Sequence, residues 1–88
     1  MAKKWLKYLT PEEYAKLPHV GQVMADYWTD WLPKTCRYLQ AEGTNLAEFF
    51  DRKGNELAEM QETLMQQGYS EDMAWELVKE EIFLPPER

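Results

Sequence analysis

Proline and glycine cut this chain into helix-length pieces, and that punctuation constrains its fold more than any other feature. Pro18, Pro33, Gly43, Gly68 and the Pro85-Pro86 pair stand at the ends of segments that otherwise read as helix. Proline has no N–H to donate four residues back and its ring crowds the preceding turn, so it stops, kinks or starts a helix. Glycine adopts the left-handed conformation that closes many helices at their carboxyl end.

Within these bounds the periodicity is helical. The segment LTPEEYAKLP opens with Thr10 as a cap, Pro11 at the first helical position and Glu13 completing a capping box, and Pro18 ends it. A second helix is expected from about Val20 to Trp31. Val23, Tyr27 and Trp31 fall at i, i+4 and i+8 and so predict its buried stripe, widened by Met24 and Trp28. Pro33 either kinks this helix or starts a new one, which runs on through Leu39 to a stop at Gly43. The longest candidate follows Thr44 and Asn45, with Leu46, Phe49, Phe50, Leu57, Met60 and Leu64 as its apolar stripe. Gly54 weakens its middle by about 1 kcal/mol relative to alanine. Ser70 caps a last helix, where Met73, Ala74, Leu77, Val78 and Ile82 are expected to face inward. No stretch alternates like a strand for long. The expected fold is all-α: a single domain over residues 1–88 built as a small bundle of four to five short helices, with a lysine-rich start (1–8) and a short tail (85–88).

A chain of 88 residues hides only roughly 60–65% of its unfolded surface, so it needs large side chains or a partner. Four Trp, five Tyr and three Phe supply that area. They also exceed what one small core absorbs, which predicts a homodimer or a fold completed by a partner. The single cysteine, Cys36, has no second cysteine to pair with and reads as a small buried hydrophobe, which favours a reducing, cytoplasmic setting. No apolar run is long enough to span a membrane, and the start MAKKWLKYLTPEE lacks the apolar segment of a signal peptide.

The net charge of −6 is unevenly spread. Residues 1–37 hold six basic and four acidic side chains, whereas residues 38–88 hold four basic and twelve acidic ones. Affinity for nucleic acid comes from neutralising phosphates, so the acidic half argues against direct nucleic-acid binding.

Chemistry-bearing patterns are sparse. His19 is the only histidine, and the chain has no glycine-rich phosphate loop and no Cys/His cluster. Glu56, Glu59 and Glu62 recur at three-residue spacing, and Asp72, Glu76 and Glu80 at four-residue spacing. Facing acids of this kind can hold magnesium in a small hydrolase. Here they flank the apolar stripes rather than lie within them, so they read as solvated faces and no metal or cofactor is expected.

Four aromatic rings crowd the stretch DYWTDWLPKTCRY, with Asp26 and Asp30 one turn apart among them. On the predicted stripe Tyr27 and Trp31 point inward, Trp28 lies at its edge, either exposed or packed against the last helix near Trp75, and the two acids lie on the more solvated side. Exposed Trp and Tyr beside acids suit protein recognition. Asp26, Trp28, Asp30 and Tyr38, with the acidic Glu59, Glu62, Glu76 and Glu80, are therefore the expected partner-binding residues.

The stretch LTPEEYAKLPHVGQVMADYWTDWLPKTCRYLQAEGTNL also resembles the small transposon-encoded TnpV-type proteins of bacterial mobile elements. The matching marks are the LT-PEE entry, Gly21, Tyr27, Pro33, Gly43 and Leu46, and the resemblance covers about residues 9–65. Basic residues in the family pattern precede the proline, where this chain has MADYWTDW. The resemblance implies an origin on a mobile element and carries over no catalytic residue. Together these readings point to a non-enzymatic, acidic, protein-binding accessory factor of a mobile element or phage, such as an inhibitor that occupies the nucleic-acid-binding surface of a host defence protein. The alternatives are a DNA-associated recombination accessory using Lys3, Lys4 and Lys7, and the magnesium-dependent hydrolase.

Overall fold

In the computed structural model, which describes residues 3–87, helices begin and end at the punctuation. Met1, Ala2 and Arg88, the outer ends of the lysine-rich start and of the tail, lie outside the described residues. A 3₁₀ turn at Lys4–Lys7 precedes α1 (Pro11–Lys16), α2 (His19–Trp31), α3 (Pro33–Ala41), α4 (Leu46–Gln66) and α5 (Glu71–Val78), which runs into a 3₁₀ turn at Lys79–Glu81. No strand occurs among the described residues, and the small all-α bundle is as expected.

Caps explain most of these boundaries. Thr10 and Glu13 form the reciprocal capping box of α1. Asn45 accepts from the Glu48 amide at the start of α4, and Ser70 from the Met73 amide at the start of α5. Gly43 and Gly68 take φ of +88° and +104°. Beyond each glycine the next amide reaches back to the chain, Thr44 to the Leu39 carbonyl and Tyr69 to the Leu64 carbonyl, so α3 and α4 both end in Schellman motifs.

Pro33 starts a separate helix rather than kinking one. Leu32 leaves helical geometry at φ −126°, ψ 51°, and its side chain cannot cap α3. A residue far along the chain does so instead. The Glu87 carboxylate accepts from the Lys34 amide at 2.6 Å, from the Thr35 amide at 2.9 Å and from the Thr35 hydroxyl. In return the Glu87 amide donates to the Trp31 carbonyl at 3.0 Å. The tail is thus a strap across the α2–α3 joint, held also by Trp28 Nε1 on the Ile82 carbonyl at 2.9 Å and Tyr27 Oη on the Leu84 carbonyl.

The main packing contact sets α2 against α4, and two glycines make it possible. A Cβ on Gly54 would lie 2.7 Å from the Gly21 nitrogen and 2.8 Å from its Cα, and a Cβ on Gly21 would lie 2.7 Å from the Phe50 carbonyl oxygen. Gly54 is therefore where two helix backbones touch. Around this crossing Val20, Met24, Trp28, Leu46, Phe50, Leu57, Val78 and Ile82 form the core, with Leu9, Leu17, Leu32 and Cys36 closing it.

The buried stripes differ from those expected in three helices. In α2 the buried residues are Val20, Gly21, Met24, Ala25, Trp28 and Thr29. That face is rotated about 100°, one residue, from the Val23–Tyr27–Trp31 stripe. Aromatic spacing alone misplaced it because Gly21, with no side chain, marks the closest approach. Trp28 is 7% exposed and Trp31 53%, the reverse of the expected order. In α5, Ala74 and Val78 are buried as expected, but Met73 and Leu77 are 57% and 41% exposed. Small residues face α4 here because the helix packs close. Met60 of α4 is likewise exposed.

An acidic cleft and an aromatic patch as the candidate functional site

Two surfaces stand out, and both follow from how α2, α4 and α5 pack. Where α5 begins beside the carboxyl-terminal part of α4 and the start of α2, a cleft of about 270 Å³ opens among His19, Val20, Gln61, Glu71, Asp72 and Trp75. An adjoining cleft lined by Ala58, Gln61, Glu62, Met65 and Glu71 shares two of these side chains with it. Glu62 of α4 is thereby brought beside Glu71 of α5. Glu71 and Asp72 sit in the first turn of α5, where the positive end of the helix favours them. His19 is the first residue of α2 and exposed.

The remaining predicted acids are spread along the same two helices. Glu59 and Glu80 are exposed, and neither is part of an ion pair among the described residues. Glu76 pairs with Lys79 at 2.8 Å, a local contact between exposed groups. Arg52 and Lys53 both lean on Glu56 at 3.9 and 3.7 Å. Among the described residues the basic side chains of this half are therefore engaged with Glu56 and Glu76, and Glu59, Glu62, Glu71, Asp72, Glu80 and Glu81 have no ion-pair partner. No group of three or more His, Cys, Asp or Glu side chains there is arranged to hold a metal ion.

The second surface lies at the carboxyl end of α2. Tyr27 packs edge-on against Phe83 with centroids 5.0 Å apart, and its ring lies 6.5 Å from that of Trp31. Trp31 and Phe83 are 53% and 43% exposed, so the rings form a continuous aromatic surface. Asp30, next in the chain to Trp31, is exposed and among the described residues has no ion pair or side-chain hydrogen bond. Tyr38, on α3, is 63% exposed, as a recognition residue requires.

Two predicted binding residues are corrected. Trp28 belongs to the core: its ring lies 5.5 Å from Phe49 and 6.2 Å from Phe50, and its indole N–H is committed to the Ile82 carbonyl. Asp26 faces α1 rather than open solvent. Its Oδ2 accepts from the Tyr14 hydroxyl at 3.0 Å, while Oδ1 is buried without a partner. Burial, then the hydrogen bond and the charge of Asp26, push the Tyr14 phenol up to about 12. Trp5 stacks flat on the Tyr14 ring at 4.1 Å, which fastens the lysine-bearing 3₁₀ turn to α1.

Cys36 is fully buried, with its thiol 3.6 Å from the Trp28 carbonyl. Burial, and to a lesser extent the Glu87 charge, push the thiol up to about 11. It is a packing residue, not a nucleophile. Nothing in the sequence pattern pointed to Glu87, Phe83 or Trp31 as surface determinants, because their roles come from a tail folded back across fifty residues of chain.

No family model, curated protein or solved structure matches this chain.

Proposed function

We propose that this chain is a small, non-enzymatic accessory factor that binds another protein, its acidic half occupying a basic, nucleic-acid-binding surface of that partner. One observation carries the reading. Glu59, Glu62, Glu71, Asp72, Glu80 and Glu81 are exposed on α4, α5 and the turn that follows, and none has a cation of this chain as partner among the described residues. Like charges gathered on one half of so small a domain repel one another, and only an external cation relieves them. A groove built to hold phosphates offers such cations at close spacing. The resemblance to TnpV-type proteins supports an origin on a mobile element or phage, a setting in which an inhibitor of a host defence protein has a use.

The test is capture of partners from nuclease-treated host lysate, followed by competition with DNA. A captured basic protein should be released by DNA, should bind less well as salt rises, and should be lost to a variant with Glu59, Glu62, Glu76 and Glu80 all changed to Gln. Capture that disappears on nuclease treatment would assign the chain to a DNA-associated role instead. Binding unaffected by the four substitutions would refute the acidic surface as the contact.

A further inference from the structure

We infer that the aromatic patch of Trp31, Tyr27 and Phe83 is the docking point for an arginine side chain of the basic partner, with Asp30 as its counter-ion. The inference rests on the proposed function, to which it adds a second contact with the same partner and a residue preference.

Electrostatics favour a cation at this place. Residue Trp31 is the last of α2, and the carboxyl end of a helix carries partial negative charge, here softened because the Trp31 carbonyl accepts from the Glu87 amide. The last turn of α2 has no basic residue to balance it. Asp30 adds a full charge there and among the described residues is held by no ion pair. The Asp30 charge therefore stands next in the chain to an exposed indole, an arrangement that a bound cation completes.

Shape favours one side chain over a second copy of this chain. Trp31 and Phe83, open by 53% and 43%, offer roughly 200 Å² of ring surface. A stable dimer needs about 800 Å² from each partner. The patch is thus the size of a hot spot rather than of a self-sufficient interface. It is also held in place before binding, since the Tyr27 hydroxyl is anchored on the Leu84 carbonyl and the Trp31 carbonyl on the Glu87 amide. Guanidinium is the better match than ammonium: it is planar, stacks on an indole face, and still presents N–H groups to a carboxylate at its edge.

Calorimetric titration with octa-arginine and octa-lysine peptides tests this directly. The unaltered protein should bind the arginine peptide about tenfold more tightly than the lysine peptide, and Trp31→Leu, which keeps apolar cover but removes the ring, should bring that ratio close to one. Asp30→Asn should weaken both peptides. The fourfold Gln variant of the acidic helices should weaken both equally and leave the ratio intact, so failure of the acidic reading and failure of the patch are separable. Phe83→Leu provides a second variant should Trp31→Leu not fold, and it too should lower the ratio. An unaltered protein without arginine preference, or a ratio unchanged by either ring substitution, would overturn the inference. So would a self-association abolished by Trp31→Leu, which would assign the patch to a second copy.

Discussion

Replacing Gly54 by alanine should destabilise the protein, although helix propensity argues the opposite. In an exposed helix interior Gly→Ala stabilises by about 1 kcal/mol. At position 54 the added methyl would sit 2.7 Å from the Gly21 nitrogen, 2.8 Å from its Cα and 2.8 Å from Pro18 Cγ. Two of those three atoms are backbone and the third belongs to a rigid ring, so none can step aside as a flexible side chain would. The α2–α4 crossing must open, and Met24, Phe50 and Leu57 lose packing as it does. Overpacking of this kind costs about 1–3 kcal/mol, and the partial loss of core contacts adds to it. After the propensity gain is subtracted, a net loss of about 1–3 kcal/mol is expected. For a domain of this size that lowers the melting temperature by about 4–8 °C per kcal/mol. Thermal and urea melts followed by circular dichroism measure it. Asn55→Ala, on the neighbouring exposed position, reports propensity alone and should raise stability slightly. Gly21→Ala, whose methyl meets the Phe50 carbonyl, should also destabilise, and the double variant should cost less than both single losses added, because one opening accommodates both methyls. A Gly54→Ala protein that melts at the same or a higher temperature would refute the close crossing.

Trp28→Ala should lose about 3–5 kcal/mol, most of what a domain of this length has, because it empties the core and strands the Ile82 carbonyl; a urea melt near that of the parent would return Trp28 to the surface. Gly43→Val should cost at least about 1 kcal/mol, and since no atom lies within 4 Å of the new Cβ the loss is conformational; an unchanged melt would remove the glycine as a cap. Glu87 should govern part of the acid limb. Desolvation raises its carboxyl, but the Thr35 hydroxyl, the Lys34 and Thr35 amides and the Lys34 charge outweigh it and hold the group below 4.5. Its contribution is therefore complete above about pH 4.5 and lost as pH falls through the depressed value, and Glu87→Gln should flatten that loss in melts recorded against pH. Tyr14 acts at the other limit: with the phenol raised from 10.0 to about 12, stability should be complete below pH 10 and fall as pH rises towards 12, and Tyr14→Phe should abolish that fall.

The helices were legible in the sequence because their signals are local. Thr10 with Glu13, Asn45, Ser70, Gly43 and Gly68 each act within one turn of the residue they cap, so spacing along the chain is enough to read them. The acidity of the second half was legible for the same reason, since charge needs no partner to be counted. Which face of each helix is buried was decided only by tertiary structure. A hydrophobic stripe ranks side chains by apolar bulk, yet helices meet most closely where bulk is absent. Gly21 and Gly54 draw α2 and α4 together, and that approach turns Trp28 inward and leaves Trp31 in solvent. Small Ala74 does the same for α5, at the expense of Met73 and Leu77. The aromatic patch depends on contacts between residues some fifty positions apart, Tyr27 with Phe83 and Trp31 with Glu87. Nothing in either segment by itself specifies its partner, because that pairing exists only once the tail has crossed the α2–α3 joint.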